Sequence, residues 1–140
     1  MLTTYPAIFC KENDGRYSVI FPDLNCSTCG DNLNDAMEMA VDCMAGEVYT
    51  MNNENTPLPK ASEMDKALLE KMCKELEADP DQAFWNLVAV DVPAYARQHF
   101  CKSVKKTLTI PQWMNEEAEK RGINFSKTLQ EALEKKLAVS

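Results

Sequence analysis

The stretch YPAIFCKENDGRYSVIFPDL, Tyr5 to Leu24, decides how this chain begins to fold. Two apolar, β-favouring runs flank NDGR, and Asp14-Gly15 within it is a strong short-range hairpin signal. The first run predicts a strand over Tyr5–Asp14. The second, Tyr17–Leu24, predicts the returning strand, stopped by Pro22, which has no N–H to give to a ladder.

Working outward, NCSTCGDN (Asn25–Asn32) reads as a loop, with Gly30 near its end. A helix is expected next. Leu33, Ala36, Met37, Ala40, Val41, Met44 and Val48 follow the i, i+3, i+4, i+7, i+8 series of one helical face. Asn32 suits its N-cap and Asp35 supplies an acid three residues on. The methionines of this stripe are assigned to core. NNENTPLPK (Asn52–Lys60) has two prolines and no periodicity, and reads as a loop. SEMDKALLEKMCKELEADP predicts a second helix, capped by Ser62 and stopped before Pro80, with Leu68, Met72, Cys73 and Leu76 as its apolar stripe. AFWNLVAVDV (Ala83–Val92) predicts a third strand, and its continuous apolarity predicts burial on both faces. Val92–Ser103 is either a helical turn or a linker, and a domain boundary is expected near it.

The last stretch, KKTLTIPQWMNEEAEKRGINFSKTLQEALEKKL (Lys105–Leu137), has its own logic. In KKTLTIP, Lys106, Leu108 and Ile110 point one way and Lys105, Thr107 and Thr109 the other. So short a strand needs a partner for its backbone groups, and the same strand of a second chain is the natural one. Pro111 suits the start of a helix, Gln112–Arg121 predicts that helix with Trp113, Met114 and Ala118 inward, and Gly122 fits its C′ position. Asn124 is the expected N-cap of a second helix burying Phe125, Leu129, Ala132 and Leu133, with Leu137 a further candidate. One strand and two short helices bury too little alone, so a dimer is expected.

Charge follows the same division. Residues 1–96 hold six Lys/Arg against seventeen Asp/Glu, a net of −11, and residues 97–140 hold nine against five, a net of +4, giving −7 for the 140-residue chain. An acidic body with a basic tail suggests two binding tasks of opposite electrostatics. No run approaches a spanning helix, and the N-terminal residues lack the pattern of a signal peptide. A cytoplasmic protein is therefore expected, with its six cysteines reduced.

Catalysis is not expected. Glu12, Asp23 and Asp91, at strand ends and a turn, are scattered acids rather than the converging set a two-metal nuclease needs. CSTC (Cys26–Cys29) offers two thiols where a structural zinc wants four ligands, and it does not open a helix as redox C-x-x-C motifs do. His99 is the sole histidine. Neither a metal nor a cofactor is expected.

Two resemblances gather these pieces. Lys102 to Leu137 resembles a ribbon-helix-helix domain, in which two chains form an intermolecular two-stranded antiparallel ribbon that enters the DNA major groove. The resemblance implies that Lys105, Thr107 and Thr109 face the groove. It also implies that Asn124, Phe125 and Ser126, at a helix start, face a phosphate with Lys127 beside them. Two threonines stand where families of this kind often carry Arg, Asn or Gln. The N-terminal run resembles the corresponding domain of HicB-type antitoxins through Tyr5–Ala7, Asp14-Gly15, Tyr17, Phe21-Pro22-Asp23-Leu24, Cys26, Thr28, Gly30-Asp31, Leu33 and Asp35-Ala36.

Together the resemblances imply an α+β protein. A partial ribonuclease-H-like domain over 1–98, binding a toxin, would be followed by a DNA-binding and dimerisation domain over 102–140. The implied function is a type II antitoxin that neutralises a small basic HicA-like mRNA-cleaving toxin and represses its own operon at operator DNA, as a homodimer or as a tetramer linked through the N-terminal domains. Asp23, Leu24 and Asn25 are the candidate toxin contacts. The alternatives are a stand-alone ribbon-helix-helix regulator with a ligand- or protein-sensing N-terminal domain, and a degenerate nuclease.

Overall fold

The computed structural model describes residues 1–100 and 103–138. Cys101, Lys102, Val139 and Ser140 lie outside the described residues, and with them the Cys101 thiol and both ends of the expected C-terminal domain. The chain divides into two compact units, Met1–Lys102 and Ser103–Ser140.

The first unit is built on an antiparallel sheet of order β3-β2-β1-β4. Strand β1 is Thr3–Lys11, β2 Tyr17–Phe21, β3 Cys26–Gly30 and β4 Ala83–Val90. β1 lies inside the sheet, paired to β2 on one side and β4 on the other. Its residues Tyr5 to Cys10 are buried without a break, because helices cover both faces. Tyr5, Ala7 and Phe9 face helix α1 (Leu33–Asn53) together with Val19, Phe21 and Val88. Ile8 and Cys10 face helix α2 (Lys66–Glu75), packed with Leu69 and Cys73. Continuous burial thus belongs to β1. The expectation that the third strand is buried on both faces does not hold: β4 is an edge strand, with Val88 and Val90 buried and Phe84 and Leu87 exposed.

The opening hairpin forms as expected, but the first strand ends before Asp14 and the connection, residues 12–16, is longer. β1 ends at Lys11, opposite Tyr17. Gly15 takes φ +88°, a left-handed value that favours glycine. A second hairpin follows where a loop was expected. Cys26–Gly30 pairs with β2, Phe21 opposite Cys26 and Tyr17 opposite Gly30. The sequence CSTCG has little β character of its own, and pairing with β2 overrides that propensity.

Helix α1 buries Ala36, Ala40, Met44, Ala45 and Val48. The Asn32 side chain accepts from the Asp35 amide at 2.9 Å, and the Asp35 carboxylate accepts from the Asp31 amide at 2.8 Å. Helix α2 begins later than expected. Its N-cap is Asp65, which accepts from the Leu68 amide at 2.7 Å, and its buried residues are Leu69 and Cys73, while Leu76 is exposed. Ser62 does not cap it; its amide and hydroxyl both donate to the Asp23 carboxylate. A single 3-10 turn, Pro80–Gln82, leads into β4. The ambiguous stretch after β4 is helix α3 (Val92–His99), capped by Asp91.

In the second unit, residues 103–111 belong to neither helix nor strand. Helices α4 (Gln112–Lys120) and α5 (Phe125–Ala138) follow. Between them the Gly122 amide donates to Glu119 O and the Ile123 amide to Ala118 O, with Gly122 at φ +66°. This is the Schellman closure that a C′ glycine permits. In this single chain only Ala118 of the two helices is buried. Trp113, Met114, Phe125 and Leu133, expected inward, are 66%, 42%, 43% and 50% exposed.

Gly30 seats β3 against the start of α1. A Cβ built there would stand 2.3 Å from the Ala36 nitrogen, a backbone atom that cannot swing aside. We expect Gly30→Ala to destabilise the protein by roughly 1–3 kcal/mol, the cost of overpacking, measured by urea unfolding. An unchanged midpoint would show that the helix moves away freely.

Candidate partner and nucleic-acid interfaces

The turn Pro22–Asn25 connects β2 to β3. Of its three candidate contacts, Leu24 is buried at 3% exposure in the main core. Asp23 is half-buried and holds Ser62 by its amide at 3.0 Å and by its hydroxyl. It thereby ties the Asn55–Asp65 connection to the turn. The Tyr5 hydroxyl donates to Pro59 O at 2.5 Å on the same connection. Burial, and then the Asp23 charge, push the Tyr5 hydroxyl above its ordinary pKa. Asn25 alone is exposed, at φ 52°. Two of the three residues therefore have structural tasks, and Asn25 is the one a partner could touch. The Asp23–Ser62 link joins residues 39 positions apart and has no local signature in the sequence.

The remaining acids of the first unit are dispersed. Glu12 accepts from the Ser18 hydroxyl at 2.5 Å. Asp91 accepts from the Ala94 amide at 3.2 Å and from the N-terminus at 3.4 Å. That capping bond, more than any other influence, holds the Asp91 carboxyl below the usual range. Asp42 accepts from the Tyr95 hydroxyl at 2.9 Å, and the Tyr95 ring stacks on His99 at 4.0 Å between centroids. Glu12, Asp23 and Asp91 thus serve separate hydrogen bonds with different partners. Among the described residues no three His, Cys, Asp or Glu side chains converge as metal ligands.

The CSTC motif lies along strand β3. Successive side chains of a strand alternate faces, so Cys26 and Cys29 point to opposite sides of the sheet. Cys26 packs towards α1 beside Cys43, and Cys29 is exposed near Arg16. One ion cannot be held by both. A second thiol pair, Cys10 and Cys73, meets between β1 and α2. Neither pair was visible in the sequence, because each joins a strand to a helix far along the chain. Burial pushes both Cys10 and Cys26 up to about 12. An open cleft of about 490 Å³ lies on the α2 side of the sheet, lined by Glu12, Ser18, Ser27, Glu77 and Gln82 among others.

In the second unit, Lys105, Thr107 and Thr109 are all exposed on the segment before α4. Asn124 is the N-cap of α5: its side chain accepts from the Lys127 amide at 3.0 Å, and its carbonyl accepts from the Thr128 amide at 3.0 Å. The Lys127 amide is thus already used. Phe125 and Ser126 supply the helix-end N–H groups that have no acceptor within the helix. Phe125, Ser126 and Lys127 are exposed.

A sheet with helices on both faces, followed by a separate pair of short helices, defines an α+β protein. The chain belongs to the family described as HicB_like antitoxin of bacterial toxin-antitoxin system, whose model matches residues 5–134. Among solved structures it is similar to a chain of a toxin–antitoxin complex from Streptococcus pneumoniae. That match has 32% identity and a TM-score of 0.62, and covers 97% of this chain and 99% of that one. It also matches the antitoxin HicB of Burkholderia pseudomallei, with 21% identity, a TM-score of 0.47 and coverage of 99% and 98%. The antitoxin HicB3 matches with 25% identity, a TM-score of 0.48 and coverage of 96% and 97%. No curated protein matches the chain. Among the described residues no helix is long and apolar enough to cross a membrane.

The placement of the thiols orders their reactivity, since the thiolate is the attacking species. Alkylation of the folded chain, followed by peptide mass spectrometry, should label exposed Cys29 first among the described cysteines. Cys10 and Cys73 should react only on unfolding. Early labelling of Cys73 would contradict the packing of α2 on the sheet.

Proposed function

We propose that this chain is a two-ended antitoxin. Its acidic N-terminal unit, a partial ribonuclease-H-like domain over 1–98, binds and neutralises a small basic HicA-like mRNA-cleaving toxin. Its C-terminal unit over 102–140, a ribbon-helix-helix domain, binds operator DNA and represses its own operon in the cytoplasm. The role is regulatory rather than catalytic.

The observation that carries this reading is the split between the units. The first, Met1–Lys102, is acidic, with eight Lys/Arg against seventeen Asp/Glu, a net of −9, and covers its own core; the second, Ser103–Ser140, has seven against five, a net of +2, and leaves its apolar side chains exposed. A strongly acidic body suits a partner whose own task is to bind RNA, and speeds their encounter. The family match supports the toxin-binding half, and so does the similarity to a chain of a solved toxin–antitoxin complex.

The DNA-binding half is supported by the exposed alternation of the second unit. Leu108 and Ile110, 56% and 41% exposed, would share one side of the segment in an extended strand, with Trp113 and Met114 following. A second copy that pairs this segment would cover them and leave Lys105, Thr107 and Thr109 on the outer face of the ribbon. Lysine donates to guanine and threonine meets base edges or a thymine methyl. The Phe125 and Ser126 amides, with Lys127, would take a backbone phosphate. A homodimer is the minimal unit, and a tetramer forms if N-terminal units also associate.

A gel shift on the chain's own promoter, paired with a pulldown of the small basic protein encoded beside it, tests the two halves separately. Lys105→Ala or Thr107→Ala should weaken operator binding by about 1–3 kcal/mol, the worth of a good base contact, and leave toxin capture intact. Equal loss of both would sink the division into two ends. Operator affinity should fall steeply with salt as phosphate contacts release counterions; a flat salt response would argue against a DNA role.

A further inference from the structure

Strand β4 ends the sheet, and among the described residues it pairs only with β1. Half of its N–H and C=O groups therefore point away from the sheet. Natural edge strands are commonly short, or carry Lys, Pro or a bulge that blocks further pairing. β4 has none of these protections. It is eight residues long, AFWNLVAV, with no charged residue and no proline. Its exposed large side chains sit on both faces: Phe84 lies on the α1 face opposite Phe9, and Leu87 on the α2 face opposite Pro6, at 38% and 53% exposure. The opposite edge, β3, is shorter at five residues and polar, and the Arg16–Asp31 ion pair stands at its end at 3.5 Å.

We propose that the outer edge of β4 is a docking rail for an extended strand of the toxin, an uncharged segment flanked by Lys or Arg; this rests on the toxin-binding reading above. The charges at the ends of β4 select that occupant. Asp79 and Asp81 precede the strand and Asp91 follows it. An antiparallel second copy would bring Asp81 of each chain near Asp91 of the other, at both ends, and set two units of net −9 (Met1–Lys102) side by side. Like charges so placed oppose pairing. A basic protein meets the same ends favourably. Main-chain bonds to the edge supply affinity and alternate side chains against Phe84 and Leu87 supply register, as in other cases of strand addition. The acidic ends steer the encounter.

The test uses the full chain and the small basic protein encoded beside it, with hydrogen–deuterium exchange and measured affinity. The peptide spanning Ala83–Val90 should exchange about tenfold more slowly in the complex than in the free chain, as outward amides gain partners. Leu87→Lys, which places a charge on the edge, should weaken the complex by about tenfold, and Asp81→Lys by a smaller, salt-sensitive factor. A complex of unchanged affinity in Leu87→Lys, with β4 exchanging as in the free chain, overturns the rail and leaves the antitoxin reading standing. Concentration-dependent protection of β4 in the chain alone overturns it in favour of a second copy. Failure of the unaltered chain to bind the basic protein overturns both readings.

Discussion

Every strand needs hydrogen-bond partners on its edges, and every apolar face needs a cover. Strand β1 is where this protein meets both demands. It pairs with β2 and β4, and its two faces are sealed by α1 and α2. The rest of the first unit follows from that position. The Pro59–Ser62 stretch must pass from one face of the sheet to the other. Its bonds to Tyr5 and Asp23 fasten it there. The Asp23 carboxylate, which sequence reasoning offered to a partner, is occupied by this internal fastening. Removing the Phe9 ring would open the centre of this core, at a cost of about 3–5 kcal/mol.

The same demands are left open at two other places, and these are where partners are to be sought. In the second unit the segment before α4 has no strand partner, and the helices expose Trp113, Met114, Phe125 and Leu133. A unit that leaves so much apolar surface uncovered has too small a core of its own. At the edge of the first unit, β4 carries an uncharged row of backbone groups between acidic ends. The charge difference between the units would keep the two proposed tasks apart: a basic surface suits nucleic acid, and an acidic one repels it.

How far the sequence could be read depended on whether each signal was local. The hairpin at Asp14-Gly15, the cap of α1 and its stripe from Ala36 to Val48, the closure at Gly122 and the cap at Asn124 are local, and the structure has them where the residues indicated; Leu33, expected on that stripe, is exposed at the helix start. β3 was missed because CSTCG has small, polar side chains and owes its strand to β2. The start of α2 was misplaced because Ser62 and Asp65 are both good caps, and a distant carboxylate claims the first. For β4 the expected burial on both faces did not hold. The apolar run of β4 suggested the interior, and the sequence reading set no burial for β1, whose run Tyr5–Cys10 is as apolar; only the strand order decides which is inside. Of the proposed contact residues, those on the second unit are exposed. On the first, Leu24 proved to be core, a role its place in a polar turn did not announce.

The account turns on the second unit being half of a structure completed by another copy of the chain. Sedimentation equilibrium of the full chain, at the concentrations that bind its promoter, tests that most directly. The account predicts a dimer or an even multiple of it. A monomer at those concentrations, still bound to DNA with undiminished affinity, would contradict it.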